Sequence, residues 1–178
     1  MVLFHRVLGA HPIDRAAPPL VVLHGLLGSS DNWQTLGTRW ATDRPVVLVD
    51  QRNHGRSPHH PNHGYPDMVV DLLDTMDALG IRQADILGHS MGGKTAMYFT
   101  DRHPGRCRSL IVADMAPVAY PPHHLHLFDA LAALDLSSFG RRSEVEAALT
   151  SSIPEAGVRQ FLLKGLYRSD PARFAWRF

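Results

Sequence analysis

The chain has one cysteine, Cys107, in 178 residues. It can form no internal disulfide, which fits a reducing compartment, and Cys107 is expected to be a buried core thiol. Charge of one sign is also missing. Eighteen basic and 17 acidic residues leave a formal charge of +1, with no block that could serve as a nucleic-acid footprint. No apolar run approaches the ~18 residues of a membrane span. The opening MVLFHRVLGAHP lacks a signal peptide's basic start and apolar core. There are no internal repeats and no low-complexity tracts. The chain is therefore expected to be soluble and cytoplasmic, with a small molecule rather than nucleic acid or membrane as partner. What is present is an ordinary globular balance, 44% hydrophobic and 20% charged, in a length that suits one core.

Short β-branched runs alternate with helical patterns. After the turn-rich DRAAPP, LVVLHG (Leu20 to Gly25) reads as a strand buried on both faces, as do VVLVD (Val46 to Asp50), ADILGH (Ala84 to His89) and SLIVAD (Ser109 to Asp114). Between them Trp33, Leu36 and Trp40 share a helix face opened by Ser30 or Asp31. Met68, Leu72, Met76 and Leu79 form a stripe ended by Gly80, and Met91 to His103 is a helix stopped by Pro104-Gly105. Alternation at this spacing predicts an α/β, doubly wound, mostly parallel sheet over residues 1–117.

The character changes after Asp114. From MAPVAYPPHHLHL onward only helical patterns are found. One carries Leu125, Phe128, Leu131 and Leu134. Another opens on a capping box of Ser143 and Glu146. A third begins at Pro154 and carries Val158, Phe161, Leu162 and Leu166. Residues 118–178 thus read as a helical cap at the end of the sheet, or as helices completing the sandwich on one face.

Gly88-His89-Ser90-Met91-Gly92 matches G-x-S-x-G between an apolar strand and a helix, the context that gives this pattern its meaning. A sharp turn holds such a serine in a sparsely allowed backbone conformation at the carboxyl end of its strand. Side chains at the two glycine positions would collide where helix and strand cross. Ser90 is therefore the candidate nucleophile, the other reading being a structural serine. His24-Gly25-Leu26-Leu27-Gly28 directly follows the LVVL strand. Its Leu26 amide and that of Met91 are candidates for two fixed donors facing a developing oxyanion, although the glycines would equally serve a tight turn. His24 is expected to pin the loop.

VVLHGLLGSSDNW, VVLVDQRNHGRSPH and ILGHSMGGKTAM together resemble the α/β-hydrolase superfamily. DQRNHGRSPH with the later RQFLLKGLYR is similar to its branch of small bacterial esterases and mitochondrial α/β-hydrolase-domain proteins. The resemblance implies hydrolysis of carboxylic esters or thioesters, without metal or organic cofactor, through an acyl-enzyme on Ser90. Members of that branch run longer, with further strands after the cap and the catalytic histidine behind the last strand. On that comparison the chain looks C-terminally truncated, with the last strands absent. The acidic partner more usually follows the next strand, which would place it in the missing part, yet some members carry it after the strand that here ends in ADMAP, which makes Asp114 the candidate acid; its other role would be to cap the turn before Pro117.

None of the 12 histidines reads as the base. HHPNH (His59 to His63) and HHLH (His123 to His126) lie among prolines or at a helix start, without the spacing of a zinc site. Strand alternation aims His89 away from Ser90. His54 is expected to hold the shape of its loop. Asp50 is expected to fix that loop by hydrogen bonds, with Arg52 in an internal ion pair. The leading expectation is a serine esterase or thioesterase for small to medium acyl groups. The alternatives are a catalytically impaired fragment or binding module lacking its base, and a cofactor-free haloperoxidase or lyase on the same scaffold. Self-association through an exposed sheet edge is a further expectation.

Overall fold

The computed structural model describes residues 1–9, 18–121, 124–170 and 173–178. Most of DRAAPP, and His123 of the HHLH cluster, lie outside them. Within the chain, Met1–Pro117 and Val118–Phe178 form two compact units.

The first unit is built on a five-stranded sheet ordered β1-β3-β2-β4-β5. Its strands are β1 (His5–Leu8), β2 (Leu20–Leu23), β3 (Val46–Val49), β4 (Ala84–His89) and β5 (Cys107–Ala113). The last four run parallel, and β1 is antiparallel to β3. The connecting helices are α1 (Gln34–Trp40), entered through a 3-10 turn at Ser30–Trp33, then α2 (Tyr65–Ala78) and α3 (Met91–Arg102).

The near-continuous apolar runs have a direct cause, because both faces of the sheet are covered. Val21, Leu23, Val47, Val49 and Ile86 pack with Val69, Leu72 and Met76 of α2 and Ala96 and Phe99 of α3. Their alternating neighbours Leu20, Val22, Val46, Leu48 and Leu87 pack with Trp33, Trp40 and Ala41 on the other side. Cys107 is a buried free thiol at the edge of the first cluster. The doubly wound expectation holds.

β1 was not expected. HRVL carries two polar side chains in four residues, and it is held by backbone pairing to β3, His5 opposite Val49 through Leu8 opposite Val46. An edge strand secured by main-chain bonds leaves little trace in hydrophobic pattern.

The second unit corrects the purely helical reading of residues 118–178. Helices α4 (Leu125–Ala132), α5 (Arg142–Leu149) and α6 (Ala156–Leu163) are followed by a hairpin of β6 (Leu166–Asp170) and β7 (Arg173–Trp176). Leu166 therefore opens a strand instead of closing the third helix. The hairpin alternates aromatics and arginines, with Arg168 over the Phe174 ring and Arg177 over that of Tyr167. Such side chains pair across strands without forming an apolar run.

Helix α4 also turns a different face inward, burying Leu127, Ala130 and Leu131 while Leu125 and Phe128 are exposed. The capping contact of α5 lies two residues earlier than expected. Glu144 Oε2 accepts the amides of Gly140 (2.8 Å) and Arg141 (3.0 Å), because the helix already begins at Arg142. Val145, Leu149, Ile153, Leu162 and Leu163 are almost wholly buried in this unit.

Candidate functional site

Strand order reverses about β2. From β2 the chain crosses to β3 on one side, whereas β4 lies on the other. The loops leaving the carboxyl ends of β2 and β4 consequently diverge and open a crevice, the place where open α/β sheets bind ligands. Leu23 is in register with Gly88. The HGLLG loop and the Ser90 turn therefore border the same crevice.

Ser90 has φ 51° and ψ −116°, outside the regions an L-residue prefers, and it begins α3. Two glycines allow this. A Cβ on Gly88 would lie 2.5 Å from the carbonyl carbon of Gly92 and 2.7 Å from Gly93 Cα. One on Gly92 would lie 2.6 Å from the His24 carbonyl oxygen. The helix thus rests directly on β4 and β2 through bare backbone. Gly25 lies against the serine, since a Cβ built there would sit 3.2 Å from Ser90 Cβ. Met91 occupies the first helical position, where an amide has no partner within its helix. Among the described residues the Leu26 amide has no backbone acceptor.

The loop after β3 backs this crevice. Asp50 is buried, and its carboxylate accepts the amides of Ser30 (2.5 Å) and Arg56 (2.9 Å). Arg52 is buried as well. Its Nε donates to Asp71 Oδ2 at 2.6 Å and its Nη atoms donate to the carbonyls of Asn62 (2.8 Å) and Asp67 (3.1 Å). Both side chains hold the loop as expected from sequence.

His24 and His54 are buried and neutral. His24 Nε2 accepts the Gln51 amide (2.9 Å) and His54 Nε2 accepts the Leu27 amide (3.1 Å). Burial, opposed in part by a hydrogen bond to the Gly25 carbonyl, holds His24 at a pKa of about 4. Burial, reinforced by His24, holds His54 at about 3. Both values lie below the ordinary 6.5, so the unfolded chain takes up protons that the folded chain refuses. The stability these groups contribute is complete above pH 6.5 and is lost as pH falls from there toward 4 and then 3. Neither imidazole is placed to act as a base.

Asp114 follows β5 with φ 54°, and its side chain is 89% exposed. Its carboxylate lies 3.8 Å from His89 Nε2. His89 departs from the expectation that strand alternation turns it away from Ser90. Its Nδ1 and Ser90 Cβ both border Gly25, because alternation applies to extended backbone and the positive φ of Ser90 breaks it. The edge of Trp33 meets the His89 ring, with centroids 6.2 Å apart. Sequence reasoning missed both contacts, since nothing in a linear pattern brings Trp33 to His89.

Among the described residues no group of three His, Cys, Asp or Glu side chains could hold a metal ion, and no helix is long and apolar enough to cross a membrane. A cavity of about 370 Å³ lined by Asp77, Gly80, Ile81, Arg82 and Arg106 lies at the amino ends of β4 and β5, away from Ser90.

A mostly parallel, doubly wound sheet with a strained serine between strand and helix is the architecture of the α/β-hydrolase fold, and residues 18–152 match the model of that family. The chain belongs to it. It is 40% identical over 161 residues to esterase YbfF of Escherichia coli (strain K12), covering 90% of this chain and 61% of that protein. It is 39% identical over 172 residues to the sn-1-specific diacylglycerol lipase ABHD11 of Mus musculus, covering 92% of this chain and 56% of that one. The solved structure of a marine microorganism esterase superimposes with a TM-score of 0.93 at 39% identity, over 99% of this chain and 68% of that one. The chain thus spans about three-fifths of the length of these curated relatives.

Proposed function

We propose that this chain carries the nucleophile, the acid and the oxyanion donors of a serine hydrolase that cleaves carboxylic esters or thioesters of small to medium acyl groups. The backbone of Ser90 carries the reading, since a half-buried serine at φ 51° beside a glycine loop is a costly arrangement with no structural benefit of its own. The esterase and lipase relatives support the reaction class.

In this reading Ser90 Oγ attacks the acyl carbon and its proton passes to a histidine. The Leu26 and Met91 amides receive the oxyanion. The alcohol or thiol leaves with the proton, and water then releases the acid and restores Ser90. Asp114 orients the imidazole. The histidine itself is assigned to the additional length that the relatives possess. The impaired-fragment reading draws support from His24 and His54, whose ring nitrogens are committed to backbone groups.

Reaction with a fluorophosphonate followed by peptide mass spectrometry tests the assignment. A single adduct on Ser90 is expected, absent in Ser90→Ala. Loss of ester hydrolysis with no reactive serine would favour the binding-module reading, and turnover of a halogenating or lyase substrate the other alternative.

We also infer that the isolated chain pairs with a second copy of itself. Among the described residues β5 has a neighbour on one side only, and Leu110 and Ile111 are 37% and 45% exposed. Antiparallel pairing about Leu110 would set Ser109 against Ile111 and Arg108 against Val112, with no like charges opposed. Light scattering should show a dimer or larger species that Ile111→Lys returns to monomer. A compact monomer at high concentration would refute the pairing.

A further inference from the structure

The loops that follow β2 and β3 are tied by two histidines in a reciprocal way. His24, at the end of β2, accepts the amide of Gln51 from the loop after β3, at 2.9 Å. His54, in that second loop, accepts the amide of Leu27 from the first, at 3.1 Å. An imidazole nitrogen that accepts from an amide carries no proton, so both rings hold their hydrogen on Nδ1. The Nδ1–H of His24 donates to the Gly25 carbonyl at 2.8 Å and that of His54 to the Arg52 carbonyl at 2.9 Å. Gln51 Nε2 adds a bond to the His24 carbonyl at 2.7 Å. The two rings lie 5.2 Å apart and are almost fully buried. Between the anchored Gly25 carbonyl and the anchored Leu27 amide stands Leu26, and Leu27 is kept at φ 60°.

We propose that His24 and His54 form a neutral clasp that positions the Leu26–Leu27 segment beside Ser90, making both of them positioning residues for the reaction at that serine. This rests on the assignment of Ser90 as nucleophile. A preorganised donor is effective because it needs no reorientation as charge develops, and the clasp supplies that rigidity without either ring touching the substrate.

The clasp opens in acid. A proton on Nε2 would face the amide that donates to it, and both bonds between the loops would break. The groups around the pair mostly oppose that proton. His89 acts on His24, and His63 stacks on His54 with centroids 5.6 Å apart. The Gly25 and Arg52 carbonyls that accept from the two Nδ1–H groups favour it, as does Asp50, but the Asp50 carboxylate is committed to the Ser30 and Arg56 amides, while the Arg52 guanidinium is paired with Asp71. Burial is the larger influence and keeps the rings neutral down to about pH 4 for His24 and about pH 3 for His54.

The test compares the wild-type chain with His54→Gln and His54→Phe. Glutamine offers one acceptor and one donor, as the neutral ring does, but gains no proton. Phenylalanine fills the space without an acceptor. Imidazole nitrogen shifts should show the Nδ1–H tautomer for His24 and His54 at neutral pH, with no titration near 6.5. Hydrogen exchange at the Leu27 amide should be about tenfold faster, or more, in the Phe variant and near wild type in the Gln variant. Acylation of Ser90 by a p-nitrophenyl ester should slow in parallel, in its maximal rate more than in its half-saturating concentration. If the Phe variant does not fold, the Gln variant suffices: Leu27 protection should persist in it near pH 3, where the wild type loses it, while Ser90 acylates at a near wild-type rate at neutral pH.

An Nε2–H tautomer, titration of either ring near 6.5, or equal Leu27 exchange in all three proteins would overturn the clasp. Exchange that changes while Ser90 acylates equally would overturn the positioning role. If Leu27 exchange follows the expected order but Ser90 never acylates, the clasp stands and the hydrolase assignment falls, together with the role in it.

Discussion

Alanine at Ser90 is expected to abolish ester hydrolysis while leaving the protein folded. Where triads have been dissected, loss of the nucleophile lowers kcat by about 10⁶, and a form of this protein extended to the length of its relatives should show a loss of that order. The 178-residue chain should start from a lower level. With His24 and His54 committed to backbone groups and the base assigned to the relatives' additional length, the oxyanion donors and binding alone would supply a residual ~10³–10⁴-fold acceleration over water, and Ser90→Ala should remove what activity there is.

Steady-state rates on a p-nitrophenyl ester for both lengths check this. Rapid turnover by the short chain, lost on mutating His54, His124, His126 or His123 (the last outside the described residues), would show that the base was in the chain. A second readout separates chemistry from folding. Because Ser90 sits at φ 51° and ψ −116°, Ser90→Gly should raise stability by about 1 kcal/mol while also abolishing activity.

Gly88→Ala is expected to be strongly destabilising. The added carbon would meet the carbonyl carbon of Gly92 at 2.5 Å and Gly93 Cα at 2.7 Å, and neither can rotate aside as a side chain could. Relief requires α3 to lift from β4, yet α3 also rests on β2 through Gly92. A loss of about 3 kcal/mol or more follows, a large part of the ~5–15 kcal/mol that holds a domain of this kind. Gly105→Ala is the control. Nothing lies within 4 Å of a Cβ there, and its effect should stay within about 0.5 kcal/mol. Urea unfolding followed by circular dichroism measures both; equal midpoints would mean that helix and strand are less closely apposed than Gly88 requires.

The limits of linear pattern show at the second unit. An amphipathic stripe such as Leu125, Phe128, Leu131 announces a helix, and α4 formed. Which side of it faces inward depends on neighbours distant in sequence, and the structure buries Leu127, Ala130 and Leu131. The β6–β7 hairpin, made by arginine–aromatic pairs, has no run of apolar residues to reveal it.

In the first unit the sequence by itself determined the central parallel strands, whose β-branched runs can be buried only between two helical layers, and the turn at Ser90, because Gly88 and Gly92 are the residues that permit a helix to start on a strand. It also marked His24, His54 and Asp50 as loop-holding groups, since each borders a glycine-rich turn. Only the tertiary structure decided how they are joined. Twenty-seven residues separate His24 from Gln51 and Leu27 from His54, and a hydrogen bond across such a distance has no periodicity to betray it. The same holds for His89, whose direction follows from a backbone torsion at its neighbour, and for β1, which owes its place to main-chain bonds with β3 that any side chains could accompany.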